Sequence, residues 1–308
     1  MFKYSLDNKR YHTLNYYYQT LFHHKVFKVS LNANFSCPNL KNGNGCIFCL
    51  HGSNSYDVEH NNDLVRQFNE VKHVLEHKWP NGYYIGYFQA NTNTYAPVSI
   101  LKEKFEKVLS LKNVVGLSIA TRSDAISKEC YDYLEELNKK TFLTVELGLQ
   151  SCNEKTLKFI KRGHDLQNFI DAVANLKKRK IKVVVHIING LPYETKEDMI
   201  NTAKFLNTLD IDGVKIHMLH ILKGTELEMI YKKKPFPILT KEEYIDIVIE
   251  QLEHLKETIV IHRITGDPDV KDLVAPTWLV KKFCVLNDID KEMVKRDVYQ
   301  GDRVEKNM

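Results

Sequence analysis

Apolar and β-branched runs alternate along the chain with segments whose apolar residues recur every three or four positions. Runs of the first kind are typical of buried strands, and segments of the second kind are typical of amphipathic helices. The pattern predicts helices over 61–78, from near Pro97 onward, over 127–140 and over 195–209. It predicts strands over 26–32, 82–89, 114–121, 141–150, 181–190 and 213–221.

A succession of six strand–helix units with nearly continuous apolar strands predicts an α/β fold, in which helices cover a parallel sheet. Right-handed crossover connections would curl this sheet into a partial (β/α)6 barrel of the TIM-like kind. On such a barrel the functional loops follow the C-terminal ends of the strands. A cysteine-rich loop at 37–49 directly follows the first strand, so we expect it at that edge.

Three segments are predicted along the chain. Residues 1–25 form an N-terminal helical segment packed on the barrel, 26–235 form the partial barrel, and 236–308 form a C-terminal extension. A long amphipathic helix is predicted over 239–257 and a shorter strand over 258–266. The extension is therefore expected to be a helical and strand appendage that packs on the barrel.

The composition is that of an ordinary globular domain. The 308 residues are 43% hydrophobic and 27% charged, with a net charge of +5. No stretch approaches the roughly 20 apolar residues of a membrane span, and the N-terminus lacks the apolar core of a signal peptide. We therefore expect a cytoplasmic protein without a membrane partner. The mild basicity permits an RNA partner without demanding one.

Three of the six cysteines, Cys37, Cys46 and Cys49, stand close together in the stretch CPNLKNGNGCIFC. In a reducing cytosol such a cluster indicates metal binding. One interpretation is structural zinc with His51 as a fourth ligand, although Cys49 and His51 are tightly spaced for a tetrahedral site. The other is a 4Fe–4S cluster held by three thiolates, which leaves one iron open.

Several ordered blocks lie between roughly residues 10 and 275: RYHTLNYYYQTLFHHKVFKVSLNANFSCPN, YFQANTNTYAPV, GLSIATRSD, ELGLQS, KRGHD, HIINGLP, KIHMLHILKGT and HRITGD. Together with the cysteines they resemble the radical S-adenosylmethionine (SAM) superfamily, and within it the Elp3-like, YhcC/YtqA-type family of bacteria. The cysteine spacing, eight residues and then two, departs from the superfamily's commonest pattern but is similar to this branch. ATRSD in place of an Arg-Pro-Asp motif, and LPYET in place of Leu-Pro-Gly-Glu-Thr, concern loop geometry more than chemistry.

The resemblance implies that the three cysteines bind three irons of a 4Fe–4S cluster, and that the fourth iron chelates the amino and carboxylate groups of SAM. Reduction of the cluster would cleave the sulfonium and release a 5′-deoxyadenosyl radical, which abstracts hydrogen from the substrate. The cofactor carries this chemistry, and the protein supplies position and electrostatics. An electron donor such as flavodoxin or ferredoxin is implied as a partner.

Polar residues at the ends of the predicted strands are candidates for SAM contacts. Strand alternation places Glu146 and Gln150 on one face, and a Glu within an apolar strand is costly unless it is paired. Arg162 resembles an arginine that meets the SAM carboxylate, but it could also be a cation at a helix C-terminus. Arg122 could instead pair with Asp124. The candidate cofactor-binding residues are Phe48, Gln89, Arg122, Glu146, Gln150, Arg162, His186, Asn189, Leu191, Pro192 and Leu219.

Histidines on the fifth and sixth strands are weaker candidates. His186 could hydrogen-bond cofactor or substrate, but a lone strand histidine is more often a satisfied core group. His217 and His220 point to opposite faces of the sixth strand, so at most one of them faces the pocket.

The resemblance also implies a substrate, the C5 side chain of wobble uridine in tRNA, with maturation of an aminomethyl-type substituent as one reaction. The segment 10–25 interleaves tyrosines with cations, which could stack on bases and meet phosphates. The favoured alternative is an amphipathic helix that lays its tyrosines on the barrel. Two other functions stay open, namely a radical SAM enzyme with a small-molecule substrate and a zinc-stabilised, non-catalytic RNA-binding or scaffold protein.

Overall fold

Parallel strands form one seven-stranded sheet in the computed structural model, which describes residues 8–41, 43, 45–50 and 63–304. The strands lie side by side in chain order and form a half-barrel. They are β1 (Val26–Leu31), β2 (Tyr83–Phe88), β3 (Val114–Thr121), β4 (Phe142–Gln150), β5 (Lys182–Asn189), β6 (Gly213–Met218) and β8 (Val260–Arg263). A separate antiparallel pair consists of β7 (Ile221–Leu222) and β9 (Leu273–Ala275).

The predicted partial barrel is confirmed, and its six predicted strands correspond to β1–β6. The sixth ends at Met218, earlier than predicted, because the chain continues into the separate strand β7. The strand predicted over 258–266 is β8, which pairs in parallel with β6 and extends the same sheet. The C-terminal extension therefore supplies a seventh strand as well as an appendage. The segment boundaries after residues 25 and 235 stay predictions.

Helices cover the outer face of the sheet. They are α1 (Leu14–Phe22), α2 (Pro38–Lys41), α3 (Leu64–Lys78), α4 (Val98–Leu109), α5 (Lys128–Lys140), α6 (Glu154–Phe159), α7 (Leu166–Lys178), α8 (Lys196–Leu206), α9 (Glu226–Lys233), α10 (Lys241–His254) and α11 (Lys282–Arg296). Of these, α3, α4, α5 and α7 contact β1, β3, β4 and β5. Within the described ranges, no helix combines the length and hydrophobicity that a membrane crossing needs.

Side-chain alternation along the strands separates an apolar outer face from a polar inner face. On β4, Val145 and Leu147 are fully buried in the main core with the helices. Their neighbours Glu146 and Gly148 line a cavity inside the half-barrel. The sheet thus packs on its helices with one face and leaves the other face for chemistry.

Helix α1 closes the half-barrel at the N-terminal ends of the strands. Tyr18 is buried and packs edge-on against Phe22 and Phe142. Phe142 begins β4, and Tyr83, which begins β2, belongs to the same apolar cluster. The amphipathic-helix interpretation of this segment is therefore confirmed. Tyr18 has no exposed face on which a base could stack, and the helix lies opposite the end where the cysteine loop follows β1.

Gln300 joins the two ends of the chain to the last strand of the sheet. Its side-chain Oε1 accepts a hydrogen bond of 2.8 Å from the backbone N–H of His12. Its Nε2 donates to the carbonyl oxygens of Lys256 and Ile259, at 2.8 Å each. Because Gln300 is buried, this one amide satisfies three backbone groups that have little access to water.

Replacing Gln300 by alanine should therefore lower the free energy of unfolding by about 2 kcal/mol, since buried polar groups would lose their partners. Chemical denaturation measured by circular dichroism tests this. The matched control is Gln167→Ala, because Gln167 is exposed on α7 and bonds only Asp171 of the same helix. We expect that control to stay within about 0.5 kcal/mol of wild type. Equal effects of the two substitutions would contradict the role of Gln300.

Candidate active site

A cavity of about 320 Å³ opens inside the half-barrel, toward the C-terminal ends of the strands. It is bounded by the cysteine loop after β1 and by residues from the inner faces of the strands. Ten of the residues predicted from the sequence line it: Cys37, Cys46, Phe48, Cys49, Gln89, Arg122, Glu146, Gln150, Arg162 and His186. The structure therefore brings most of the predicted site together in one place.

Main-chain hydrogen bonds hold the cysteine loop on both sides. The N–H of Ile47 donates to the carbonyl of Ile160 at 3.1 Å, and the carbonyl of Ile47 accepts from the N–H of Leu227 at 2.8 Å. The Ile47 side chain is buried in a small apolar cluster with Leu191 and Leu219. Residues 42 and 44 of the loop, and the candidate zinc ligand His51, lie outside the described residues.

Asn39 and Gly163 connect the cysteine loop to the segment after β4. The Asn39 amide Nδ2 lies 3.4 Å from the Cys46 Sγ and donates to the Lys161 carbonyl at 2.8 Å. Gly163 has φ of +87°, and a Cβ added there would lie 2.7 Å from the Asn39 Oδ1 and 3.2 Å from Arg122 Nη2. Only glycine combines this conformation with so close an approach.

Burial and neighbouring thiols disfavour the ionisation of Cys46 and Cys49 in the loop. Burial is the main cause that raises the pKa of Cys46, and Cys37 adds to it. Burial, followed by the neighbouring thiols of Cys46 and Cys37, raises the pKa of Cys49 to about 12. Thiolates at these positions therefore need a cationic centre to compensate them, as metal-bound cysteines do.

A closed mononuclear metal site is not found in this part of the chain. Among residues 8–41, 43, 45–50 and 63–304, no group of three His, Cys, Asp or Glu side chains is placed to hold a metal ion. Ligands of a structural zinc all converge on one ion. In a 4Fe–4S cluster each cysteine binds a different iron, so the thiolates are spread over a larger object.

Arg162 carries its charge into the wall of the cavity. It is 2% exposed, and its Nη2 donates to the carbonyl of Gly148 at 2.6 Å. Its Nε and Nη1 have no hydrogen-bond partner within the described residues. Burial, with the nearby Arg122, lowers the pKa of Arg162 to about 10. Two buried donors of a cation without acceptors are suited to an anionic ligand group.

The guanidinium of Arg122 donates hydrogen bonds to Asp124 and to the backbone of Arg162. Its Nε and Nη2 form a bidentate pair with Asp124 at 2.9 and 2.8 Å, and its Nη1 donates to the Arg162 carbonyl at 2.7 Å. The alternative in which Arg122 pairs with Asp124 is thus the arrangement observed. Arg122 lines the cavity and braces the backbone of Arg162.

Gln150 is the last residue of β4, and its side chain packs over Gly148. Its backbone has φ of +70°, and the pairing of β4 with β5 shifts register between Gly148 and Gln150. A Cβ on Gly148 would lie 2.7 Å from the Gln150 Nε2. Despite the irregularity, Glu146, Gly148 and Gln150 all line the cavity, as the alternation predicts.

Glu146 is the centre of a buried polar network. Its Oε1 accepts hydrogen bonds from Lys28 Nζ and Ser118 Oγ, both at 2.6 Å. Its Oε2 lies 2.7 Å from His186 Nε2 and also accepts from Lys215 Nζ. Lys215 donates in addition to the Tyr87 hydroxyl at 2.9 Å.

Burial alone would raise the pKa of Glu146, but Lys215 and then Lys28 outweigh it and hold that pKa well below its ordinary value. Burial lowers the pKa of Lys215 to about 7, although Glu146 opposes the shift. Burial likewise lowers the pKa of His186 to about 4, so this imidazole is neutral at pH 7.

Sequence reasoning identifies Glu146 as a site residue but misses both of its lysines. The signal is present, because Lys28 and Lys215 also interrupt apolar strands, in VFKVSLN and GVKIHM. One buried charge requires a partner of opposite sign. A carboxylate and two ammonium groups on buried strands could therefore have been paired from the sequence alone.

Four predicted contact residues do not line the cavity. Asn189 follows the outward alternation of β5, and its amide exchanges hydrogen bonds with Gln251 of α10 at 2.8 and 2.9 Å. Leu191 and Leu219 pack behind the cysteine loop in the cluster with Ile47. Pro192 is buried in the turn after β5. These residues support the site from outside the cavity.

The prediction that His217 and His220 lie on opposite faces of the sixth strand is wrong, because β6 ends at Met218 and His220 follows it. At most one of them faces the pocket, as expected. His217 lines the cavity, whereas His220 does not. His220 is packed against Gly266, since a Cβ at that glycine would lie 2.0 Å from the His220 Nε2. His217 is thus the histidine of β6 that a substrate could meet.

A family model described as the radical SAM superfamily matches residues 42–206, and one described as the radical SAM C-terminal domain matches 211–295. The chain belongs to the radical SAM superfamily. The cofactors of this superfamily are a 4Fe–4S cluster and SAM, and they are the cofactors of this enzyme. The first match includes Cys46 and Cys49 and begins after Cys37.

Full-length relatives place the chain within the YhcC/YtqA-type family. It is 47% identical over 305 residues to the uncharacterized protein YtqA of Bacillus subtilis, covering 97% of this chain and 94% of that protein. It is 29% identical over 279 residues to protein YhcC of Escherichia coli, covering 89% of each. The YtqA match alone shows the family.

Matches to Elp3-type proteins cover a smaller part of those proteins. A tRNA uridine(34) acetyltransferase of Methanocaldococcus infernus is 33% identical over 156 residues, which are 50% of this chain and 29% of that protein. The structure of Methanocaldococcus infernus Elp3 with an N-terminal deletion superposes with a TM-score of 0.68 at 22% identity, covering 90% of this chain and 64% of that one. The superposition shows a shared fold.

Substituting Glu146 by glutamine should cost about 3–5 kcal/mol of unfolding free energy, because it leaves Lys28 and Lys215 buried without a counter-charge. Guanidinium denaturation of the anaerobically purified protein measures this. Glu70→Gln, which removes an exposed partner of Arg66 on α3, is the matched control and should change stability by less than about 1 kcal/mol. A loss below about 1 kcal/mol in Glu146→Gln would contradict the network.

Substituting Gly163 by alanine should impair cluster retention, because the added Cβ strains a left-handed backbone and displaces Asn39 from Cys46. We expect fewer iron atoms per chain after anaerobic reconstitution. Gly43→Ala is the control in the same loop, since a Cβ there meets only the Asn39 carbonyl at 3.7 Å. Wild-type iron content in Gly163→Ala would refute the role given to this close contact.

Proposed function

We propose that Cys37, Cys46 and Cys49 bind three irons of the cluster, and that the remaining iron binds SAM. The observation that carries this proposal is that the thiols of all three cysteines and two Arg162 donors without a partner among the described residues converge on one cavity. The thiols supply soft anionic ligands for iron. Arg162 supplies a buried cation for a carboxylate.

The other cavity residues have roles that follow from their positions. Arg162, braced through its carbonyl by Arg122, would hold the carboxylate of SAM. Gln89 and the neighbouring backbone would meet its ammonium, and Gln150 would meet its ribose hydroxyls. Phe48 packs beside the small apolar cluster at the last cysteine and would shield the cluster from water.

Once bound and reduced, the cluster and SAM supply a 5′-deoxyadenosyl radical that removes a hydrogen atom from the substrate. The chain's own part is to position the substrate and to keep its hydrogen-bonding groups fixed. Glu146 holds Lys215 and His186 in place on the inner wall, so these side chains are pre-organised before a substrate enters.

We further propose that the substrate is tRNA and that the reaction changes the C5 side chain of wobble uridine, with maturation of an aminomethyl-type substituent as the candidate reaction. Support comes from the match to a tRNA uridine(34) acetyltransferase, which covers half of this chain. Because only 29% of that protein is covered, acetyl transfer is not part of the proposal. A tRNA substrate would place the reaction in the cytoplasm, with flavodoxin or ferredoxin as electron donor.

Anaerobic turnover tests both steps of this proposal. Wild type and Cys49→Ala are reconstituted with iron and sulfide, then given SAM and dithionite with or without tRNA from a strain that lacks the gene, and 5′-deoxyadenosine is quantified. Cys284→Ala is the matched control, because Cys284 is exposed on α11 and lies outside the cavity. We expect Cys49→Ala to lose more than the roughly 10- to 100-fold that removal of an outer-shell contact costs.

The outcomes separate the cluster assignment from the substrate. Product in wild type and Cys284→Ala, increased by tRNA, supports both. Product that tRNA does not increase contradicts the tRNA proposal and favours a small-molecule substrate. A wild type that binds zinc and no iron contradicts the cysteine assignment and favours the non-catalytic scaffold.

A further inference from the structure

The inner wall of the cavity carries more positive than negative charge. Lys28, Lys215 and Arg263 line or border it, and Glu146 is the carboxylate that faces them. The other acidic residue nearby, Asp124, is held in a bidentate pair by Arg122. Burial lowers the pKa of His186 to about 4, so its imidazole is neutral at pH 7 and does not change this charge balance. Lys215 is buried and Arg263 is half-buried, so an excess of positive charge at this wall favours an anionic ligand.

Among these cations, Arg263 is the one without an acidic partner in the described part of the chain. It lies at the end of β8, directly across from Lys215 on β6 in the sheet register. It lines the central cavity and also an adjoining groove of about 550 Å³ between the N-terminal segment, β8 and α11.

The other cations of that groove are paired. Lys9 forms an ion pair with Asp290, and Lys282 forms one with Asp267 at 2.5 Å. Arg263 makes no side-chain hydrogen bond or ion pair with any residue in the described part of the chain. A guanidinium offers a planar fork of donors that matches a carboxylate.

Two further donors point to the same region. Lys215 has three N–H groups, of which Glu146 and the Tyr87 hydroxyl take two. His217, two residues further along β6, has a buried Nε2 without a partner among the described residues. Since alternate residues of a strand share a face, Lys215 and His217 both face the cavity, beside Arg263.

SAM does not neutralise the excess positive charge of the cavity wall. It carries one carboxylate against an ammonium and a sulfonium, so its net charge is positive, and Arg162 already offers unpartnered donors for its carboxylate. Arg263, together with the one N–H of Lys215 that Glu146 and Tyr87 do not take, is thus available to a second molecule. The substrate is the molecule that must share the cavity with SAM.

We propose that Lys215, His217 and Arg263 form a carboxylate-binding subsite for the substrate. The inference rests on the proposed function, and with it the uridine that this enzyme modifies carries a carboxylate on its C5 side chain. Arg263 is the specificity-determining residue, because its charge has no partner among the residues that the structure describes. An RNA phosphate has the same anionic chemistry and is the alternative source, since Arg263 also faces the groove.

Binding to the cluster-loaded enzyme with SAM, without reductant, tests this proposal. Isothermal titration compares 5-carboxymethyluridine with its neutral methyl ester, and uridine 5′-monophosphate with uridine. The proteins are wild type, Arg263→Gln, Arg263→Lys and Arg66→Gln. Arg66 is the matched control, because it is exposed on α3 and lies outside the cavity. Thermal melting confirms that each variant is folded.

We expect wild type and Arg66→Gln to bind the carboxylate about 10- to 100-fold more tightly than the ester, the range of a hydrogen bond to a charged group. Arg263→Gln should bring that ratio close to one, and Arg263→Lys should retain part of it. An unchanged ratio in Arg263→Gln, or equal binding of acid and ester by wild type, would overturn the subsite. A preference for the monophosphate alone, lost in Arg263→Gln, would overturn the carboxylate in favour of phosphate.

These results are independent of turnover. If tRNA fails to increase 5′-deoxyadenosine while the Arg263-dependent preference holds, the proposed tRNA substrate fails and the carboxylate subsite stands. If tRNA increases product while acid and ester bind alike, the proposed function stands and the subsite fails.

Discussion

The half-barrel depends on one buried carboxylate. Glu146 on β4 accepts hydrogen bonds from Lys28 on the first strand and Lys215 on the sixth. Strands so far apart in sheet order can reach one side chain only if the sheet is strongly curved. The network therefore stabilises the curved sheet, because flattening the sheet would separate Glu146 from its lysines and leave buried ions unpaired. It also keeps the inner face polar, while the outer face packs on the helices mainly through apolar contacts, with the Asn189–Gln251 pair as a polar exception.

Each end of the cavity carries an arginine whose charge is not fully paired within the described part of the protein. Near the cysteine loop, Arg162 is buried with donors that no described residue accepts. At the other edge of the sheet, Arg263 faces the cavity without an acidic partner among the residues that the structure describes. Elsewhere in the wall the cations are satisfied by Glu146 or Asp124. The fold thus neutralises the charges that hold its own elements together and leaves free those that face a ligand.

Periodicity and motif spacing were sufficient for the strands, for the edge where the cysteine loop lies and for ten of the residues around the cavity. They failed where a side chain's partner lies far away in the sequence. Asn189 looks like a strand-end polar group, but its amide is used by Gln251, which is 62 residues away. Arg263 is part of the block HRITGD but was not identified as a site residue, because its importance comes from lying across from Lys215. Local patterns specify which face a residue occupies, and only the assembled sheet specifies its neighbours.

The hydrogen bonds of Ile47 bear on how the enzyme would respond to loss of its cluster. The loop between Cys46 and Cys49 is tied through this residue to Ile160, after α6, and to Leu227 in α9, and its side chain is buried in an apolar cluster. None of these contacts involves metal. Oxygen destroys exposed iron–sulfur clusters, yet a chain that has lost its cluster keeps this part of the loop in place. We therefore expect that iron and sulfide can be reinserted into the folded chain, without resynthesis of the protein.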